Sequence, residues 1–403
     1  MKTIGNASLL KDLNKSVILN AVKDNEPISR ADIVNITKLA LPTVLRNVNN
    51  LIDEGFIIEI GKGDASYGRK PILLKINPSF GFFFGVKVGR KMVVICTDFK
   101  GNMVDRIIEF TDIREGPLGI VKQIKRIVYQ IMSNRDISID KVLGVGIATP
   151  GFAFKTSSLI SRSFFAGWEK ADFEQLLQDN LPDLPTVHDY VTICGAIGEH
   201  WFGRGKDSKN YVYIYVDAGV GGGVVTDGRI YRGKDGYAGH IGHHVVNFEG
   251  DECYCGNRGC LETYVSTVAI VKKVQQRLAE GDDSILISRT QGDPEKVSFN
   301  MIVDAYRDGD VMAREILAEA GRIMGIGVAN SINMYNPDTV ILGGEVCCTC
   351  PVFVEEAVKV AISHVFALEA AEVDIVVSDI EQYPEAFGAV ALAMSEIYKM
   401  PEI

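Results

Sequence analysis

The chain has 403 residues, with 42 Lys+Arg against 52 Asp+Glu and a formal charge of −10. Its 47% hydrophobic and 23% charged content excludes wholesale disorder, and no apolar run reaches the ~18–20 residues that span a bilayer. Eight cysteines in so long a chain make no disulfide scaffold, and the opening MKTIGNASLLKDLNK lacks the apolar core of a signal peptide, so the expectation is a cytoplasmic protein of two to three domains.

The charge is unevenly spread. Residues 1–78 hold eleven Lys/Arg and eight Asp/Glu, a net +3, which leaves 31 basic and 44 acidic residues, a net −13, for the rest. A small basic module on a large acidic one suggests two jobs, divided at 1–78 and 79–403.

The first module reads as a winged helix-turn-helix. Leu13, Val17, Ile18, Ala21 and Val22 repeat at helical spacing and give a first helix ending near Asp24. Beyond Pro27, Ser29 with Asp32 three residues on is a capping-box start for a short helix carrying Ile33, Val34 and Ile36. Asn35 to Leu41 is expected to turn, and Pro42 suits the first position of a third helix, 41–54, with Val44, Val48, Leu51 and Ile52 inward. Thr43, Arg46, Asn47 and Asn50 are expected on its opposite face, able to reach base edges and phosphates in a major groove. Two strand-like runs, Phe56–Ile60 and Ile72–Ile76, flank a basic tip in which Arg69 and Lys70 would meet phosphates or a minor groove. Double-stranded operator DNA is the partner this module implies. Ala40 and Leu45 stand where many such modules carry phosphate-bonding hydroxyls.

Residues 236–262 read GYAGHIGHHVVNFEGDECYCGNRGCLE. Cys253, Cys255 and Cys260 with His243 offer three sulfurs and one nitrogen, a donor set suited to tetrahedral, structural Zn²⁺, with His240 and His244 as competing imidazoles. Cys347, Cys348 and Cys350 form a second cluster, read as small thiols of the core or as a second metal site.

The GHIGHH…CYCGNRGCLE block resembles the ROK family of repressors, open reading frames and kinases. SYGRKP in the wing, ATPGF at 148–152 and DAGVGGGVVTDGRIYRG at 217–233 support it, and the similarity covers nearly the whole chain. The resemblance implies an α/β fold: a winged helix-turn-helix, then an actin/hexokinase-like pair of lobes about a cleft. Phe82–Asp98, Val142–Ala148, Tyr211–Val216 and Val340–Leu342 read as strands of those lobes. Members with the N-terminal module resemble carbohydrate-responsive repressors, and NKSVILNAVKDNEPISRADI is similar to xylose-type repressors. Members without it are mostly sugar kinases.

Three features of such kinases are altered. A D-x-G-G-T phosphate turn becomes Lys87-Val88-Gly89-Arg90-Lys91, and a G-T-G-x-G-G-G loop becomes Asp217-Ala218-Gly219-Val220-Gly221-Gly222-Gly223. In the second, the hydroxyl is lost at Ala218 and a carboxylate is added at Asp217, which opposes anion binding. Aligning Pro185 to Glu199 without gaps puts Val191 at the general-base position. Naming Asp189 the base instead needs two extra residues, which rotate the following helical face by ~200°. Val191 is favoured, and Asp189 is a polar cleft residue. The expectation is a regulator without kinase activity; the alternative is an ATP-dependent sugar kinase that also binds DNA.

In the effector pocket the resemblance implies a G-E-x-G-H motif whose Glu is here His240, and an Asn before Gly167-Trp168 that is here Phe165. Asp189, His240, the metal-bound His243 and Trp168 remain as candidate effector-binding residues. They suit a sugar or sugar derivative, including an acid or phosphate facing His240, or a pocket that has lost its ligand. A homodimer or tetramer would set two heads on a palindromic operator.

Overall fold

The structure is a computed structural model that describes residues 7–62, 70–150, 172–366, 372–380 and 383–398. Arg69, Phe165 and Trp168 lie outside the described residues.

The N-terminal head runs α1 (Ala7–Asn25), β1 (Ile28–Ser29), α2 (Arg30–Thr37), α3 (Leu41–Asp53), β2 (Ile57–Lys62) and β3 (Ile72–Ile76). The capping box forms: Asp32 N–H donates to Ser29 Oγ, and Ser29 N–H donates to Asp32 Oδ2, both at 3.2 Å. The turn between α2 and α3 is shorter than the spacing suggests. α2 runs on to Thr37 and stops because Lys38 takes a left-handed conformation, φ +57°, leaving only 38–40 as the turn. Leu41 rather than Pro42 is the first helical residue of α3. The wing gains a third strand, since β1 pairs with β3 (Ile28 against Leu74) beside β2.

The first lobe follows: β4 (Phe82–Lys87), β5 (Lys91–Asp98), β6 (Met103–Phe110), α4 (Gly116–Asn134), β7 (Val142–Thr149), α5 (Phe173–Asn180) and β8 (Thr186–Tyr190). Its sheet order is β6-β5-β4-β7-β8, with β4, β7 and β8 parallel. α6 (Val191–Phe202) leads out, and the second lobe holds β9 (Tyr211–Val216), β10 (Val220–Thr226) and β11 (Arg229–Ile230). After the cysteine loop come α7 (Glu262–Val265), α8 (Thr267–Ala279), α9 (Leu286–Arg289), α10 (Phe299–Arg307) and α11 (Val311–Tyr335). The lobe ends with β12 (Thr339–Gly343), α12 (Glu345–Thr349), α13 (Pro351–His364) and β13 (Asp374–Val377). Its sheet order is β11-β10-β9-β12-β13. Continuous apolar runs such as Tyr211–Val216 are buried at every residue because layers cover both faces of each sheet.

The last helix, α14 (Pro384–Tyr398), returns to the first lobe and packs on α6, β4 and β7. Gly146 permits this close approach: a Cβ there would lie 1.7 Å from the carbonyl oxygen of Ala389. One apolar core joins the head to this lobe, running from Ile18, Val22, Val48 and Leu51 to Phe83, Phe99, Val390 and Met394. Asn20 Nδ2 donates to the carbonyl of Tyr398 at 2.9 Å, and Lys23 Nζ lies 4.0 Å from the Trp201 ring centre. No helix among the described residues is long and apolar enough to cross a membrane.

Candidate functional site

On α3, Arg46 is exposed and Thr43 and Asn50 are half-buried, beside the exposed Leu41, Leu45 and Asn49. Asn47 corrects the reading from spacing: it is 2% exposed, and its Nδ2 donates to the carbonyl of Thr43 at 2.8 Å. It shares the inner face with Val44, Val48 and Leu51, so its amide is held against its own helix rather than offered outward. Asn49 is the outward asparagine, and its Oδ1 accepts from Arg30 Nη2 at 3.3 Å. Lys70 is exposed where the chain enters the return strand. Ala40 caps α3 without a side-chain bond; Pro42 has no N–H to offer, and Thr43 N–H donates to the Ala40 carbonyl at 2.9 Å.

The cysteine loop is laid against the second lobe by Gly222 N–H, which donates to the carbonyl of Gly239 at 2.7 Å, and by the buried Ile241. His243, Cys253, Cys255 and Cys260 then converge, their ligand atoms all within 4.8 Å of one another. Cys255 and Cys260 sulfurs are 3.7 Å apart, and His243 Nδ1 is 3.6 Å from Cys253 Sγ. A tetrahedron with metal–sulfur arms of about 2.3 Å has edges of about 3.8 Å, so the donor set fits a metal ion. Among the three histidines, His243 is the one gathered with the cysteines. Gly259, at φ +67°, makes the return possible, because a Cβ there would fall 1.5 Å from the carbonyl oxygen of Asn247. His243 Nε2 faces Tyr254 Oη at 3.3 Å, so both ring nitrogens are turned to groups of the loop. Of the second cluster, Cys347 and Cys350 are buried and Cys348 is exposed, and the His243 group is the metal-sized cluster among the described residues.

The cleft walls carry charges that meet across the lobes. Asp189, at the end of β8, is buried; its Oδ1 accepts from Tyr190 N–H at 2.8 Å, and Oδ2 is bound by Arg232 of the second lobe. A cavity of about 800 Å³ is lined by one stretch of the second lobe, including Asp227, Arg229, Tyr231, Arg232 and Lys234 but not Asp189. His240 lies edge-on to Tyr190 and Tyr237, at 6.2 and 5.9 Å between ring centres. Burial lowers the His240 pKa, with a backbone hydrogen bond to Tyr237 opposing it, so the ring is held toward its neutral form. That departs from an imidazolium poised for an anion: a neutral ring suits hydroxyl groups.

Deeper in, Lys87 Nζ lies 3.6 Å from Asp217 Oδ2 and 3.8 Å from Glu385 Oε2. Tyr215 Oη donates to Asp217 Oδ2 and Tyr213 Oη to Glu385 Oε1, each at 2.6 Å. Glu262, closing the cysteine block, is buried, accepts from Val220 N–H at 2.7 Å, and is pushed up to about 7 by burial. Arg232, Glu262 and Glu385 escape a reading by motif. The first two stand inside recognisable segments, but only their contacts single them out.

The ROK family model matches residues 83–396, and a winged helix-turn-helix DNA-binding model matches 11–58. The chain belongs to the ROK family. It is 30% identical over 400 residues to the xylose repressor of Caldicellulosiruptor bescii, covering 99% of this chain and 100% of that one. Among solved structures it is similar to a ROK family transcriptional regulator that is a homolog of the Escherichia coli MLC protein. That match has 25% identity, 97% of each chain covered and a TM-score of 0.80. A ROK family glucokinase from Streptomyces griseus superposes on 77% of this chain and 99% of its own, at 25% identity and a TM-score of 0.68. The chain is thus a ROK-family transcriptional regulator, related to sugar-responsive repressors and not to be counted among the family's kinases. In the cleft, Val191 opens α6, and Lys87 and Asp217 pair with each other.

Proposed function

We propose that this regulator is a cytoplasmic repressor of carbohydrate-utilisation genes, released from its operator when a sugar or sugar derivative enters the cleft. Residues 1–78 act as the reader and 79–403 as the sensor and dimerisation body. In a homodimer, two copies of α3 enter successive major grooves of a palindromic operator through Thr43, Arg46 and Asn50, with Asn49 beside them and Arg69 and Lys70 on flanking phosphates. Asp189 and His240 meet the effector, whose hydroxyls compete with Arg232 for the Asp189 carboxylate. Zn²⁺ held by His243, Cys253, Cys255 and Cys260 supplies a structural cross-link that fixes the loop bearing His240.

The observation that carries this reading is α14, whose first turn places Glu385 in the cleft while its last residue, Tyr398, touches α1 of the head. A change of closure has a rigid element through which to reach the DNA-binding surface. The test is a gel-shift titration of operator DNA with xylose, other mono- and disaccharides, their phosphates and sugar acids. One of them is expected to weaken operator binding by about tenfold or more. A sugar that binds tightly, as read by thermal shift, yet leaves the gel shift unchanged would contradict the mechanism. A coupled ATP-turnover assay across the same compounds is expected to read no activity.

A further inference from the structure

The Lys87 group is built from three parts of the chain. Lys87 ends β4 in the first lobe, Asp217 follows β9 in the second, and Glu385 lies in the first turn of α14. The lysine side chain is 14% exposed and the Glu385 side chain 2%. An ammonium so placed is stable only with counter-charges close by. Burial lowers the Lys87 pKa, but the carboxylates of Glu385 and Asp217 outweigh it, and the net shift is upward. Neither carboxylate is free to drift, because Tyr213 and Tyr215, both on β9, each donate to one of them. The pocket is thus pre-shaped around the cation from both lobes. Asp189 and Arg232, a second pair that crosses the cleft among the described residues, differ in kind: the Arg232 side chain is 48% exposed and can exchange with water or ligand.

We propose that Lys87 is an internal tie that pins the hinge end of the cleft, so that the lobes rotate about the Lys87–Asp217–Glu385 group while the Asp189–Arg232 rim opens and closes. Because Glu385 belongs to α14, the same tie couples lobe rotation to the helix that supports the head. This second step rests on the effector-to-operator reading above; the tie itself does not.

The test is hydrogen–deuterium exchange by mass spectrometry on the full-length protein, with Lys87→Met and Lys87→Arg beside the parent chain. Lys87→Met is expected to raise exchange by about tenfold in two distant segments, 217–220 and 384–388, while Lys87→Arg keeps them protected. Lys87→Met is also expected to weaken operator binding by about threefold. Exchange that rises only at 87–91, or rises equally in both variants, would overturn the tie, since a packing role is local and indifferent to charge. Should Lys87→Met not fold, the uncharged set Lys87→Met/Asp217→Asn/Glu385→Gln removes the unpaired carboxylates. Lost protection in both segments then supports the tie, and retained protection overturns it. Raised exchange with unchanged operator binding upholds the tie and overturns its coupling to the head.

Discussion

The outer face of α3 and the walls of the cleft are both polar, but they use their polar groups differently. Arg46 stands exposed on α3 and makes no ion pair among the described residues. In the cleft, Asp189 is bound by Arg232, Asp217 by Lys87 and Tyr215, and Glu385 by Lys87 and Tyr213. A surface that keeps its donors uncommitted is ready for an outside partner without first breaking its own bonds. A cleft whose charges already satisfy one another must exchange internal bonds for external ones, and that exchange is what lets a ligand change the shape of the protein.

This contrast can be broken by substitution. Groups committed inside the body should fail as structure, and groups left open on the head should fail as binding. The largest effect is expected at the cysteine loop. On the proposed zinc site, Cys260→Ser should lower the metal found by elemental analysis and the melting midpoint by about 10 °C or more, because a structural metal would stabilise the fold directly. Treating the parent protein with a chelator should reproduce the shift.

Next comes the shared core. Phe99 stacks on Phe83 and Tyr398 and meets Phe80 edge-on, with ring centres 4.9 to 6.0 Å away. Phe99→Ala should cost about 3–5 kcal/mol in denaturant titration. Head and first lobe should still unfold together, and a separate early transition of the head would break the picture of one continuous core.

Arg46→Ala and Asn47→Ala then form a pair of neighbours with opposite outcomes. Arg46→Ala should leave the melting midpoint unchanged and weaken operator binding by about 1–3 kcal/mol in gel shift. Asn47→Ala should lower stability by about 1 kcal/mol through its lost bond to Thr43, with operator affinity following only as far as the head is loosened. Equal operator loss from two equally stable variants would return Asn47 to the DNA-facing side.

The smallest effect is expected at the cleft rim. Arg232→Gln should lower stability only modestly, since Gln can still donate to the buried Asp189 carboxylate, yet shift the effector concentration that releases operator DNA. An unmoved dose response would show that Asp189 takes no part in ligand capture.

Much of the head was legible from residues alone. Ser29 and Asp32 announce a helix start because a capping box is local, needing only three residues of separation. The CYCGNRGC spacing announces a metal cluster for the same reason. Errors arise where a local pattern has two solutions. Asn47 lies at the border of the polar arc of α3, and packing of α3 on α1 and α2 decides which side it takes. His240, His243 and His244 are equivalent by spacing, and the path of the Ile241–His243 turn decides which imidazole faces the thiols.

The sequence by itself determined the charge boundary near residue 78, the winged helix-turn-helix order, the metal-suited cysteine loop, and the departures from a kinase at Lys87, Asp217 and Val191. Each rests on neighbours within a few residues or on a motif quoted in place. Only the tertiary structure decided that Lys87 answers Asp217 and Glu385, that Arg232 answers Asp189, and that α14 reaches from cleft to head. These partners lie in different lobes or at opposite ends of the chain. Electrostatic pairing depends on separation in space, which strand order and helix packing set and which position along the chain does not.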